Sequence, residues 1–257
     1  KQVFDRLGGW DSVRVAGDSE FIFRIESIFG KDSIYRVHTK VPLSISLSSE
    51  NSLTGTSMTH VKTIKFGLRR TYREAAIWWH NQASSADDLY LDPTKYNRPF
   101  PCPIPNQILQ PSSRYYDYLI VADYTKGSIE GEFVNIVKKL LKSDKKIAIF
   151  HLPDYRTDPT KLIPDKIYQL LYKYSIDMIV PKEQVNVGHL IIMTPEILDF
   201  QFDHTPQITC KNISILRKEN TSVEIKNQRE VNLEKTFQMN TLLKWVDWNE
   251  FYGEKIS

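Results

Sequence analysis

The residues with the clearest capacity for chemistry lie near the start of the chain. A Gly-Gly-Trp-Asp segment spans Gly8–Asp11, and a second segment, Gly17–Glu20, contains Asp18 and a further carboxylate. Asp18 stands at the predicted start of a helix, where backbone N–H groups and the helix dipole stabilise a negative charge. A carboxylate in that position can accept a proton from a hydroxyl group at hydrogen-bond distance. The sequence therefore predicts a general base at Asp18.

Hydrophobic periodicity predicts the helix that would carry this carboxylate. Its apolar residues recur at helical spacing: Phe21, Ile22, Ile25, Ile28 and Phe29. Arg24 and Glu26 are predicted on the opposite, polar side, and Gly30 is predicted to end the helix. A second helix is predicted around Tyr72–Trp79. Short extended pieces at 34–37 and 43–47 and a Ser/Thr-rich loop at 48–60 are predicted between the two helices.

Residues 84–113 differ in character from the sequence on either side. This stretch contains six prolines and follows neither a strand period nor a helix period. We interpret residues 91–113 as a Pro-rich linker between a first region, residues 1–90, and a second domain, residues 114–232. The spacing of apolar residues after position 232 predicts a C-terminal helix within 233–257.

The second part has the alternating pattern of an α/β domain. A buried-strand pattern at 116–124 is followed by a glycine-containing turn, a helix over 132–146 and a second buried strand at 146–152. Elements in this order form a βαβ unit with parallel strands. A helix near 164–174 and strands near 177–180, 189–193 and 208–216 continue the alternation. The predicted fold class is α/β with a Rossmann-like parallel sheet.

Composition excludes several classes of protein. The chain has 257 residues, of which 41% are hydrophobic and 25% are charged, as in folded globular proteins. The net charge of +3 is too small and too evenly spread to predict a nucleic-acid partner. Two cysteines, Cys102 and Cys210, exclude a disulfide-stapled secreted scaffold and favour a reducing, cytoplasmic location. No apolar run approaches the roughly 18 residues that a membrane-spanning helix needs.

The two acidic segments together resemble the acceptor side of bacterial inverting glycosyltransferases of the GT-A fold, from the large second family of such enzymes. In those proteins a Gly-Gly-aromatic-Asp segment precedes a Glu-Asp pair, and an acidic and an apolar residue then open a helix. Gly8–Asp11 match the first segment, and the second is matched by Gly17, Asp18, Glu20 and Phe21, with Gly17 where the family pattern has Glu. Residues 42–55 and 72–80 resemble the region that follows the base in a capsule-type subgroup.

The resemblance implies roles for individual residues. Asp18 would deprotonate the acceptor hydroxyl, and Trp10 would help to form the sugar-binding wall. Arg14, Glu20 and His60 are the further candidates for substrate contacts, with Arg14 directed toward a phosphate and His60 toward a diphosphate. A structural interpretation stays open for each: Asp18 and Glu20 as a helix cap and a dipole partner, Trp10 as a packing aromatic and Arg14 as a solvated cation.

Metal and nucleotide binding follow from the same resemblance. In those enzymes an Asp-x-Asp motif holds the divalent cation that neutralises the diphosphate of the nucleotide-sugar. This sequence has no Asp-x-Asp, and its histidines and cysteines lack metal-ligand spacing. We therefore expect no metal or cofactor in this chain, and Mg or Mn with a donor-binding half outside it. The second part resembles the acceptor-side Rossmann domain of GT-B glycosyltransferases, with Gly127 and Gly131 in a loop facing a cleft and Asp123 at a strand end.

Hypotheses from different classes follow. The first is part of a bacterial glycosyltransferase of surface polysaccharide biosynthesis, which transfers a sugar from a nucleotide-sugar donor to a glycan acceptor. Its expected location is cytoplasmic, with peripheral association at the inner face of the membrane with membrane-bound polysaccharide machinery. The second is a non-catalytic scaffold or interaction module of a polysaccharide-assembly protein. A third is a small nucleotide-binding regulator built on residues 114–216.

Overall fold

Two compact units make up the chain, Lys1–Gln110 and Pro111–Ser257. The structure, a computed structural model, describes residues 2–35, 37–41, 55–95, 97–107, 114–158, 160–217, 221–239 and 242–253. Most of the segment at 42–55 that resembles a capsule-type subgroup lies outside these residues, as does the predicted extended piece at 43–47.

The first unit is helical in its described residues. Helix α1 spans Gln2–Leu7, α2 spans Gly17–Phe29 and α3 spans Leu68–Gln82. Short 3-10 helices lie at Lys31–Ser33, Val61–Ile64, Asp87–Leu89 and Ile104–Asn106. Gly30 follows α2 with φ of 85° and donates its N–H to the carbonyl of Glu26, so the predicted helix end is confirmed.

The buried face of α2 differs from the predicted one. Arg24 is fully buried, whereas Ile22 and Phe29 are 44% and 37% exposed. The prediction that Arg24 lies on a polar outer side is therefore wrong. Its guanidinium donates to backbone carbonyl oxygens inside the unit, those of Leu7 at 2.6 Å and Gly9 at 2.7 Å. A buried cation is tolerated when it is hydrogen-bonded and paired in this way.

The predicted linker is in part a packed element of the first unit. Phe100 stacks on Trp79 with ring centroids 5.3 Å apart, and Arg98 forms an ion pair with Asp11 at 2.6 Å. Asn106 is fully buried and exchanges hydrogen bonds with the backbone of Val15. The linker interpretation is therefore wrong for residues 97–107, while 108–113 lie outside the described residues. Prolines prevent regular backbone ladders, but they do not prevent burial.

The second unit is an α/β domain built on one parallel sheet. Its elements in chain order are β1 Tyr115–Ala122, α4 Ile129–Leu141, β2 Ile147–His151, α5 Asp165–Lys173, β3 Asp177–Ile179, β4 Gln184–Ile192, β5 Gln207–Arg217, α6 Val223–Phe237, β6 Leu242–Asp247 and α7 Trp248–Gly253. The strand order is β3-β2-β1-β4-β5-β6, and every neighbouring pair is parallel. This order is that of the Rossmann-like fold, so the predicted fold class is confirmed for this unit.

The middle strands of the sheet are buried, as parallel strands covered by helices on both faces must be. Leu119, Ile120 and Val121 of β1 are fully buried, and Leu190 lies beside Leu119 on β4. Helix α4 contributes an apolar stripe to this core: Phe133, Ile136, Val137 and Leu140. The apolar run at 116–124 therefore predicted its strand correctly.

The prediction of a helix within 233–257 is wrong for residues 242–247, whereas residues 233–237 belong to α6 and 248–253 form α7. Helix α6 ends at Phe237, where Gln238 takes a left-handed conformation with φ of 53°, and Leu242–Asp247 form strand β6. The apolar spacing that predicted a helix here, with Leu242, Trp245 and others, also fits a strand. Pairing with β5 over the full length of β6 decides between the two.

A buried carboxyl group makes the stability of this unit depend on pH. Glu183 is 1% exposed, and burial raises its pKa to about 7 despite the ion pair with Arg114. An unfolded Glu has a pKa of about 4.3. Between these two values the folded state holds a proton that the unfolded state has lost, so the free energy of unfolding falls as pH rises.

We expect Glu183→Gln to remove this pH dependence, because the amide does not titrate. Urea unfolding at pH 5 and pH 7.5 measures it, with a fall of at most about 1.4 kcal/mol per pH unit attributable to one group. Glu224→Gln, at an exposed position in the first turn of α6, is the matched control and should keep the wild-type fall. An equal fall in the Glu183 variant would contradict the assignment.

Candidate active site

Asp18 lies on the first turn of α2 with its side chain exposed. Ala16 precedes the helix in a left-handed conformation with φ of 67° and provides no side-chain cap. One carboxylate oxygen of Asp18 accepts a hydrogen bond from the N–H of Ser19 at 2.8 Å. The other oxygen has no hydrogen-bond partner among the described residues, so the carboxylate is open to a ligand from solvent.

Trp10 packs against the helix that carries Asp18. Its indole is 58% exposed and packs edge-on against Phe21, with ring centroids 5.7 Å apart. Asp18 and Phe21 are three residues apart on the helix, a spacing that places side chains on one side. An exposed indole and an exposed carboxylate therefore share one surface of the first unit.

Close backbone contacts explain the glycines of this region. A Cβ added to Gly8 would lie 1.9 Å from the carbonyl oxygen of Leu91, and Gly8 also has φ of 74°. A Cβ added to Gly17 would lie 2.7 Å from the carbonyl oxygen of Asp11. The Glu that the family pattern has at this position therefore does not fit here without movement of the backbone. The backbone of the second acidic segment, at Gly17, is therefore in direct contact with that of the first segment, at Asp11.

Glu20 is buried under this surface, at 3% exposure, and does not share the solvent-facing side of Asp18. Its carboxylate forms an ion pair with Arg24 at 2.9 Å and accepts a hydrogen bond from Nε2 of His80 at 2.9 Å. Arg24 in turn binds the carbonyl of Gly9. This network fixes α2 to the Gly-Gly-Trp-Asp segment, so Glu20 positions the surface that carries Asp18 and Trp10.

A second buried group was not predicted from sequence as a site. The hydroxyl of Tyr72 donates to one oxygen of Asp11 at 2.9 Å, and Nε of Arg98 donates to the other at 2.6 Å. Burial raises the pKa of Asp11 above its usual value, although both donors act to lower it. Burial also raises the pKa values of Tyr72 and Cys102. Asp11 and Arg98 are 87 residues apart in the sequence, so no short sequence pattern could have predicted their contact.

The contacts of Arg14 and His60 are with residues other than Asp18 and Trp10. Arg14 is exposed, and its backbone N–H donates to the carbonyl of Asn106. His60 caps the 3-10 helix at Val61–Ile64, with Nδ1 accepting from the N–H of Lys62 at 3.1 Å. Within the described residues neither side chain forms a hydrogen bond or ion pair with Asp18 or Trp10.

The opposite side of α2 borders a cleft of about 90 Å³. Ser19, Glu20 and Phe23 line it from α2, and the facing wall comes from α3, including Tyr72 and His80. Asp18 does not line this cleft, and neither do Phe21 and Ile22, its same-side neighbours on the helix. One helix thus carries the candidate base on one side and a cleft on the other.

In the second unit the loop that was predicted to face a cleft is closed by its own hydrogen bonds. Asp123 is fully buried at the end of β1 and accepts hydrogen bonds from Thr125, Thr157 and the N–H of Asp154. Burial acts to raise the pKa of Asp154, but hydrogen bonds from Arg156 and Lys126 outweigh it and lower that pKa. Asp123 therefore ties β1 to the segment after β2.

Gly127 and Gly131, the glycines predicted to shape this loop, have open space around them. A Cβ added to either would meet nothing within 4 Å. Neither position requires glycine for backbone packing inside the unit.

No protein-family model and no curated protein sequence matches this chain. The described residues contain no group of three or more His, Cys, Asp or Glu side chains able to hold a metal ion. A helix with the length and apolarity required to cross a membrane is also missing from the described part of the chain.

The glycine contacts predict opposite effects for one substitution at two sites. We expect Gly17→Ala to destabilise the first unit by about 1 to 3 kcal/mol, because the methyl group overlaps a backbone oxygen. Gly131→Ala should instead stabilise α4 by about 0.5 to 1 kcal/mol, because alanine favours helix and meets no obstacle. Hydrogen exchange measures each unit separately. Effects of the same sign would contradict the described contacts.

We expect substitution of Arg24 to cause the largest single loss of unfolding free energy in the first unit. Arg24→Met removes the partner of buried Glu20 and of three backbone carbonyls, and we expect a loss of about 3 to 5 kcal/mol. Arg14→Met, at an exposed position, should change stability by less than about 0.5 kcal/mol. Urea unfolding of both variants compares the two. Equal stabilities would show that the buried network is not required.

Proposed function

We propose that this chain is part of a bacterial glycosyltransferase, in which Asp18 is the general base toward the hydroxyl group of a glycan acceptor. The observation that carries the proposal is an exposed carboxylate on the first turn of α2, with an exposed indole that packs against Phe21 on the same helix. An indole offers a flat apolar surface for the C–H face of a sugar ring, while a carboxylate accepts hydrogen bonds from its hydroxyl groups.

The proposed reaction is a single displacement with inversion. The acceptor oxygen forms a bond to the anomeric carbon of a nucleotide-sugar, and the bond from that carbon to the diphosphate breaks. Its electron pair leaves with the nucleoside diphosphate, and the hydroxyl proton passes to Asp18. Positioning matters because an oriented base and acceptor avoid the entropy loss of a chance encounter. The buried network of Glu20 and Arg24 supports this role, since it holds the helix start rigid.

The remaining predictions of the resemblance stand with this proposal. In it the first unit is a GT-A-like acceptor region of surface polysaccharide biosynthesis, with Arg14 and His60 as substrate contacts. Glu20, predicted as a further substrate contact, is buried, and we propose a positioning role for it instead. The second unit is a GT-B-like half domain. Peripheral association with membrane-bound polysaccharide machinery and a cytoplasmic location stay predictions.

A non-catalytic scaffold is the second candidate function, and the second unit favours it. In a Rossmann-like sheet, ligands bind at the carboxyl ends of the strands where the strand order reverses, here between β1 and β4. At that point the side chain of Asp123 is satisfied by groups of the protein itself, and its N–H donates to Oγ1 of Thr194 at 3.1 Å. This internal closure suits a docking module better than a nucleotide site.

The rate of sugar transfer, measured with the protein that the whole gene encodes, tests the first proposal. We expect Asp18→Asn to lower the transfer rate by about 10² to 10⁴, because the amide cannot accept the proton. Asp32→Asn, at an exposed position in the 3-10 helix Lys31–Ser33, is the matched control and should transfer at the wild-type rate. Wild-type transfer by the Asp18 variant would end the assignment.

Calorimetric titration of the chain separates the two candidates. An acceptor region should bind oligosaccharides weakly, and Trp10→Ala should abolish the binding, because the indole supplies the apolar surface. A scaffold should bind neither oligosaccharides nor nucleotide-sugars.

A further inference from the structure

The cleft between α2 and α3, on the side of α2 away from Asp18, has the features of a second ligand site. Its volume of about 90 Å³ is enough for several water molecules, since one water needs roughly 10 to 15 Å³ on the same measure. Phe23, Ile64, Ala76 and Ile77 give it apolar walls. A polar pair and two cations complete the lining.

The polar pair is His80 with Glu20. His80 is 8% exposed and lines the cleft, and its Nε2 binds the Glu20 carboxylate at 2.9 Å. Because a carboxylate accepts, Nε2 carries the hydrogen, and in a neutral imidazole Nδ1 then has a lone pair. Within the described residues Nδ1 has no hydrogen-bond partner. The negative charge of Glu20 is already compensated by Arg24, at 2.9 Å.

The cations are Arg69 and Arg73, one turn apart on α3. Nε of Arg69 donates to the carbonyl of Thr59 at 3.1 Å, and the guanidinium of Arg73 lies over the ring of Phe23, 5.3 Å from its centroid. Neither forms an ion pair within the described part of the chain, whereas Arg70 pairs with Glu74 at 2.6 Å. Two positive charges at the cleft are therefore uncompensated.

The position of Arg69 in the first turn of α3 strengthens the inference. That turn contains no acidic residue, and Gly67, which precedes the helix, provides no side-chain cap. Cations near a helix N-terminus are electrostatically unfavourable, since the dipole is positive there. An anion between the arginines would reverse this unfavourable term.

We propose that the cleft binds a small organic phosphate. A phosphate monoester carries about −1.5 to −2 charge at pH 7, which matches two guanidinium groups, whereas a carboxylate matches one. Guanidinium groups also bind phosphate oxygens through paired hydrogen bonds. The organic part of the ligand lies against Phe23 and Ile77, and a donor group on it binds Nδ1 of His80. This site is independent of the proposed glycosyl transfer, because it lies across α2 from Asp18.

Titration of the whole chain with phenyl phosphate, followed by calorimetry, tests the proposal. We expect phenyl phosphate to bind at least tenfold more tightly than inorganic phosphate, phenol or benzoate, because each of these lacks the apolar group or the second charge. Arg69→Gln combined with Arg73→Gln should weaken binding at least tenfold. Equal affinity for phenyl phosphate and phenol would overturn the phosphate assignment.

A matched pair of tryptophan variants tests the location. Ser19→Trp fills the cleft from its exposed rim and should abolish binding, whereas Ser27→Trp, exposed further along the same helix and outside the cleft, should leave it unchanged. Unchanged binding in the Ser19 variant would overturn the site. Binding to phosphatidic acid vesicles without binding to phenyl phosphate would replace a small-molecule site by a lipid contact. Since sugar transfer is tested on Asp18, either proposal can fail without the other.

Discussion

The first unit depends on one buried cation. Arg24 donates to the carbonyl oxygens of Leu7, Gly9 and Leu89, which belong to two segments of the chain outside α2, residues 7–9 and the turn at Leu89. A guanidinium without water must be surrounded by acceptors, so these segments can pack in few other arrangements. Glu20 supplies the opposite charge and passes the constraint to α3 through His80. The surface with Asp18 and Trp10 and the cleft behind it are both set by this arrangement.

The second unit follows a different principle. Its core comes from apolar strands between helices, and its polar groups gather where β1 and β2 end. Asp123 is the centre of that group, and its oxygens accept from a turn and from a neighbouring segment. A single carboxylate thus holds the turn after β1 and the segment after β2 together through hydrogen bonds of the protein itself. The Rossmann-like order of strands is therefore compatible with a structural role as well as with nucleotide binding.

Local patterns predicted much of the fold but little of the buried polar structure. Strand β1, helix α4 and the end of α2 at Gly30 follow from apolar period and glycine, because these signals are contained in short windows. Strand β6 was missed because its apolar spacing fits both a helix and a strand. Pairing with β5, which is not visible in the sequence, determines that it is a strand. Motif spacing selected Asp18 and Trp10 as candidate site residues, and their roles stay predictions. The burial of Arg24 was not predicted, because its acceptors are backbone atoms from distant segments, which no sequence pattern marks.

The two outer strands of the sheet also determine how this domain behaves at high concentration. An unpaired outer strand can join the sheet of another molecule and start aggregation. At one margin β3 is only three residues long, and at the other β6 carries the exposed Lys244. A short strand offers few backbone groups for pairing, and a lysine makes burial against a second molecule costly. Both features oppose growth of the sheet beyond six strands and keep its hydrogen bonding within one chain.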